Sequence, residues 1–324
     1  MKEMKLTFVN VGYGEAILLE CPTDGARPYV ILIDGGSAEP AEYASAESGR
    51  IPLTEYLRKN GPDHIDLLVS THTHEDHVCA ALQAAQLLPP REIWQSLPST
   101  FYRETRPLDE SCAETASQSK FLRALNDYGA LCRLAESGGA SIRQMCAGMD
   151  ETPCPGLHIQ VLAPSREREQ QLEELMRDLY AQTQDTLLQV LSRVDGQMNN
   201  FSLMLLLDWQ GTRILLPGDT NRLGYGDIAP EMLPAHIFKV GHHGQIDGAD
   251  QALLDAVQPR AVVCCASSDR RYNSAHPDLL NKIREGGAEL YFSDAPEVPG
   301  MTVPPHQALT FVLGADGAFT AAYH

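Results

Sequence analysis

The segment that most limits how this chain can fold is His72-Thr73-His74-Glu75-Asp76-His77. It puts three imidazoles and an aspartate within six residues, directly after Ile65-Asp66-Leu67-Leu68-Val69-Ser70, which has the length and composition of a strand. Residues 78–88, beginning Val78-Cys79-Ala80-Ala81-Leu82, read as the helix that follows. The chain must therefore build a strand-to-helix connection at which these side chains converge. Imidazole nitrogen and carboxylate oxygen are the donors that hold a zinc-type divalent ion. His72 and His74, two residues apart, can serve one ion, and Asp76 and His77 a second beside it. The alternative is a chance group on a surface turn. Eleven histidines in 324 residues rarely place three in six positions beside an aspartate, so the box is read as a metal site.

Two ions need a shared donor and a further imidazole. Leu215-Leu216-Pro217-Gly218-Asp219 ends a strand in a carboxylate. Asp219 alone would pass for a turn residue; beside the box it is the candidate bridge. Lys239-Val240-Gly241-His242-His243-Gly244 again follows a strand, and its glycines let backbone approach a site closely. His242 is preferred as the ligand of the second ion, with His243 facing substrate or standing behind the ligands. Asp76 is also the natural group to orient an attacking water. His276, ahead of Pro277, is a candidate donor to a developing oxyanion or leaving group, or else a helix-start residue that packs. Arg270 and Arg271 are candidates to clamp a phosphate, or else part of a solvated loop.

Strand and helix signals alternate in two halves. Short apolar runs closed by Gly, Pro and Asp fill the first 35 residues, and residues 50–60 have helical spacing. Strands are expected again at 153–162, 202–207, 212–216, 237–240, 261–265 and 289–292, with helices at 249–257 and 277–286 and a hairpin from His306 to Tyr323. Ser117–Ala135 reads as one helix. Ser165–Val194 is charged and helical in period, and is expected as a solvated amphipathic excursion on the rim, the alternative being a partner-binding helix. The pattern supports a layered α/β architecture and leaves open a four-layer sandwich or a doubly wound sheet.

The formal net charge of −18 opposes a polyanion as default partner. A small-molecule or phosphodiester substrate is expected, with extended nucleic acid disfavoured. No apolar run reaches the roughly 20 residues of a membrane span, and the start lacks the apolar stretch of a signal peptide, so no membrane contact and a cytoplasmic setting are expected. The eight cysteines include no Cys-x-x-Cys pair and are expected as free thiols, with Cys264 and Cys265 in strand core.

The box resembles the His-x-His-x-Asp-His signature of the metallo-β-lactamase superfamily. Within that superfamily, Phe8 to Ile17, Val30 to Gly36, Leu216 to Asp219, Lys239 to Gly244 and His276-Pro277 resemble the ComEC-like hydrolase domains, across residues 5–98 and 199–295. The resemblance implies a four-layer αββα sandwich with the metals at one edge of the sheets, forming a single domain over 1–324 with a helical insertion at about 99–198. It implies that Asp34 buttresses the histidine loop by hydrogen bonding. A third histidine for the first ion is missing: His158 lies too early, and Asn199-Asn200-Phe201-Ser202 stands in its place, as in ComEC-like members. Asn199 and Ser202 are therefore expected beside the ligands or substrate, with the first ion held by fewer protein donors. The expected cofactors are two divalent ions, zinc first, manganese and iron as alternatives. The expected activity is water-based hydrolysis of a phosphodiester. The alternatives are an ester, thioester or lactam substrate, or a non-catalytic metal-binding interaction module.

Overall fold

Near-continuous apolar runs in the strands, such as Val30-Ile31-Leu32-Ile33 and Leu203-Met204-Leu205-Leu206-Leu207, dictate what each sheet must do. A sheet with both faces apolar has to be covered on both sides. The computed structural model describes residues 3–44 and 47–324. The first sheet contains β1 (Met4–Val9), β2 (Ile17–Cys21), β3 (Tyr29–Ile33), β4 (Leu67–Val69), β5 (Glu92–Gln95) and β6 (Ser141–Gln144). The second contains β7 (Asp150–Cys154), β8 (Leu157–Ala163), β9 (Met204–Trp209), β10 (Thr212–Leu216), β11 (Ile237–Lys239), β12 (Ala261–Cys264) and β13 (Glu289–Phe292). The closing hairpin, β14 (Ala308–Leu313) and β15 (Phe319–Tyr323), returns to the first sheet and pairs with β1.

The inward faces of the sheets meet in one core. Leu6, Phe8, Ile31, Ile33, Leu67 and Val69 of the first pack with Ile159, Leu205, Leu207, Ile214 and Val263 of the second. The alternate residues, such as Leu18, Leu32 and Leu68, face helices α1 (Leu53–Lys59), α2 (Glu75–Leu87) and α3 (Ala116–Ser137). On the far side Leu206, Leu215, Phe238 and Val262 face two later helices, Gln251–Val257 and Pro277–Glu285. The result is the expected αββα sandwich. Among the described residues no helix is long and apolar enough to cross a membrane, and the cysteines are free.

The stretch 99–198 differs from the expectation of a helical insertion. It supplies β6 to the edge of the first sheet and β7 and β8 to the second, so much of it is framework. Its helical part is α3 and a helix pair, α4 (Arg166–Ala181) and α5 (Gln184–Met198), broken at Gln182-Thr183. The pair keeps the solvated outer face expected of it, while its inner face is built into the core. Leu172, Met176, Leu179, Leu187, Leu191, Val194 and Met198 are buried in the same core as α3. The helical period of Ser165–Val194 does produce an apolar face, and that face packs into the helical layer of the protein. The last two helices become α6 (Gln251–Val257) and α7 (Pro277–Glu285).

Parallel pairing puts the carboxyl ends of neighbouring strands side by side. β3 pairs parallel with β4, and β10 with β11. The residues just past these four strands therefore meet at one edge of the sandwich.

Candidate metal centre

Asp34, the histidine box, Asp219 and His242-His243 are the residues that leave those four strand ends. The box loop is held by Asp34, which is fully buried with φ 54°. Its Oδ1 accepts from the Thr71 amide at 2.8 Å, and its Oδ2 accepts from the Thr71 hydroxyl at 2.5 Å and from His77 Nδ1 at 2.8 Å. Left-handed backbone at a non-glycine residue costs free energy and persists where surrounding contacts enforce it. Gly14 fits the opening loop over the box: a Cβ there would lie 2.4 Å from the Asp76 carbonyl oxygen. That carbonyl accepts from the Glu15 amide at 3.1 Å.

Asp76, His77, Asp219 and His243 form one cluster, with a donor atom from each within 4.8 Å of the others. His243 Nε2 lies 2.8 Å from Asp219 Oδ2 and 3.0 Å from Asp76 Oδ2. His77 Nε2 lies 3.2 Å from Asp219 Oδ2 and 3.8 Å from Asp76 Oδ2. Both nitrogens are buried yet have no aligned hydrogen bond, although carboxylate oxygens are close. They aim at a shared point. The opposite ring nitrogens are satisfied, His77 Nδ1 by Asp34 and His243 Nδ1 by the Cys265 carbonyl at 2.8 Å. An imidazole with one nitrogen tied back and the other aimed among carboxylates is how proteins prepare a metal ligand, so these residues fit a divalent ion.

The other half of the box has the same arrangement. His72 Nε2 and His74 Nδ1 approach to 3.0 Å. His72 Nδ1 donates to the Thr71 hydroxyl at 3.1 Å, whose own hydrogen goes to Asp34. Burial, then His77 and His74, hold His72 well below the ordinary imidazole value, leaving a neutral ring with an inward lone pair. His74 Nε2 is paired at 3.1 Å with Asp195 of α5.

The electrostatics of the cluster are dominated by burial set against partners. Burial pushes the Asp219 carboxyl up, but His243, Lys239 and His77 hold it well below the usual range. Asp76 is likewise depressed by His77 and His243 against burial. Burial lowers His243, while Asp219 and Asp76 raise it, to about 9. His77 is raised well above its ordinary value by Asp219, Asp76 and Asp34 against burial. Lys239 is fully buried; its Nζ donates to Asp219 Oδ1 at 3.0 Å and to the Gly218 carbonyl at 2.7 Å, and pairs with Glu15.

Several expected roles change. His243, not His242, enters the cluster. Both residues have left-handed backbone, φ 48° and 50°. This turn sends the His243 ring inward and the His242 ring to Asp247 at 2.9 Å and Gln245 at 3.1 Å. His276 caps α7, its Nδ1 accepting from the Asp278 amide at 3.3 Å, and is absent from the wall of the cavity over the cluster. Arg271 is committed to Asp269 and, at 2.6 Å, to Glu42. Neither it nor Arg270 lines that cavity, whereas Tyr272 does. Ser202 Oγ accepts from the Asp219 amide at 3.2 Å, and Asn199 lines the cavity.

The cavity has a volume of about 330 Å³, with Asp76 and Asp219 on its floor. Tyr13, Lys120, Gln245 and Asp195 on its wall were not singled out from the sequence. Neither was Lys239, although a lysine inside the apolar run Ile237-Phe238-Lys239-Val240 is a readable signal, because a buried strand tolerates a charge only when it is paired. Asp195 carries no such signal.

Residues 16–111 match the Metallo-beta-lactamase superfamily. The chain is 22% identical over 302 residues to ComE operon protein 3 of Bacillus subtilis (strain 168), a match covering 90% of this chain and 32% of that protein. It thus spans about a third of the length of that curated relative. Among solved structures, a diphosphatase from the PhnP family is 10% identical, with TM-score 0.42 and coverage of 96% of this chain and 99% of that one. A Cronobacter sakazakii metallo-beta-lactamase mutated in its HARLDQ motif is 11% identical, with TM-score 0.40 and coverage of 87% and 90%.

Proposed function

We propose that this chain is a metal-dependent hydrolase of the metallo-beta-lactamase superfamily, which its residues 16–111 match, and that it hydrolyses a phosphodiester at a two-ion centre. The observation that carries the reading is the pair of buried, unaligned imidazole nitrogens of His77 and His243 facing Asp76 and Asp219 beneath an open cavity. His72 and His74 would hold the first ion; His77, His243 and Asp76 the second; Asp219 both. Bound there, two divalent ions, zinc or alternatively manganese or iron, would supply a water acidified toward neutral pH and would offset charge on the phosphoryl oxygens.

The chain's own groups do the rest. Asp76 stays ionised and opens to the cavity, so its carboxylate accepts a hydrogen from the attacking water and fixes its direction. Lys239 supplies the cation between Asp219 and Glu15, and its hydrogen bond to Asp219 Oδ1 keeps that carboxylate from turning. Tyr13 packs on His243 with ring centroids 4.3 Å apart. Burial, then Asp76 and Asp219, keep its hydroxyl neutral, so it is a donor for a substrate oxygen, a role for which His276 was one candidate from sequence. Lys120 gives the wall a cation, which suits a phosphate more than a neutral ester. The open cavity favours catalysis over a closed binding site.

The test is hydrolysis of bis(p-nitrophenyl) phosphate alongside a carboxylic ester and a β-lactam, by the metal-loaded chain and its His74→Ala variant. Phosphodiester turnover lost in the variant is expected. Turnover of the ester or lactam alone, or undiminished activity in His74→Ala, would refute the reading.

A further inference from the structure

We infer that Asp195, on α5, is a positioning residue that sets His74 for the first ion and makes that half of the centre depend on the docked α4–α5 pair; the inference rests on the two-ion reading above. Of the four inward imidazoles, three are tied back by residues at the strand ends: His72 by Thr71, His77 by Asp34 and His243 by the Cys265 carbonyl. His74 is tied back differently. Its Nε2 donates to Asp195 Oδ1 at 3.1 Å, across 121 residues of chain. With the hydrogen on Nε2, the lone pair is on Nδ1, the atom 3.0 Å from His72 Nε2.

Nδ1 and Nε2 open on opposite sides of the ring, so Asp195 does not share an ion with Nδ1 of His74; it fixes the tautomer and angle. Asp195 is itself held. The Ser117 hydroxyl of α3 donates to its Oδ2 at 3.2 Å. Phe121 of α3 meets the His74 ring edge-on at 5.5 Å. The helix beneath Asp195 is anchored by buried Leu187, Leu191, Val194 and Met198. The helices thus supply, from a distant part of the chain, the orienting partner of a ligand whose ion lacks the third histidine.

A carboxylate behind a ligating histidine is worth about 10–100-fold in metal affinity. The test titrates Co2+ into chelator-treated wild type, Asp195→Ala and Asp195→Asn, and reads stoichiometry and the visible bands of each bound ion. Wild type is expected to take two ions. In Asp195→Ala the ion at His72 and His74 should bind about 10–100-fold more weakly, with altered bands, while the ion at the His77–His243 cluster binds as in wild type. Asp195→Asn keeps an acceptor oxygen and should recover part of the loss. Two ions with wild-type affinity and bands in Asp195→Ala would overturn the inference and leave the two-ion reading intact. If the alanine variant does not fold, wild-type affinity and bands in the isosteric Asp195→Asn overturn it equally. A wild-type chain that takes up no Co2+ would instead overturn the two-ion reading.

Discussion

Metal uptake by this centre should expel protons, and the structure says how many. In the metal-free chain the Nε2 of His243 is buried against two carboxylates, which hold the ring protonated up to about 9. At pH 7 the neutral, ligating form is then about 1% populated, and reaching it costs about 3 kcal/mol at 1.36 kcal/mol per pKa unit. His77 is raised in the same sense. An ion entering Asp76, His77, Asp219 and His243 must therefore displace about two protons, because a metal binds only neutral imidazole. Affinity should rise with pH between 6.5 and 8.5 by up to about 100-fold per unit, tenfold for each proton displaced. The assay is titration calorimetry with Zn2+ in buffers of different ionisation enthalpy, from which proton release is read directly. In His243→Ala the release should fall by about one proton. Metal uptake with no proton release, or an affinity flat across that pH range, would refute the placement of His77 and His243 as protonated ligands-in-waiting.

Other outcomes follow from the same geometry. Metal analysis should find one ion weakened or lost in His243→Ala and both kept in His242→Ala; the reverse pattern would show that the turn at these residues faces the other way in solution. Lys239→Met leaves Glu15 and Asp219 buried without their cation, and should cost about 3–5 kcal/mol in urea unfolding; an unchanged midpoint would mean the triad is not formed. Melting of the metal-free chain should track pH in two directions. The raised pKa of His243 stabilises the fold fully below the unfolded imidazole value, and this is lost as pH rises through about 9. The depressed Asp76 and Asp219 contribute above the unfolded carboxylate value, and their share is lost as pH falls through their lowered values. A melting temperature constant from pH 6.5 to 9 would contradict the first half.

The sequence by itself determined the local facts. The box lies within six residues of one strand end, so the gathering of its imidazoles and carboxylate at one place follows from local spacing. Asp219 and the His242-His243 pair are marked by strands that stop at glycine. The alternation of strand and helix signals likewise pointed to a layered α/β architecture. What the tertiary structure decided lies where spacing is mute. His242 and His243 are neighbours of equal chemistry, and only the left-handed turn through both distinguishes the ring that enters the cluster. Arg271 reads as either a phosphate clamp or a solvated-loop residue until Glu42, 229 residues away, takes its guanidinium. Asp195 reads as an ordinary helix-surface carboxylate until packing of α5 against α3 brings it to His74. Such contacts carry no periodicity, because they are fixed by the packing of whole layers and not by the path of the chain on either side.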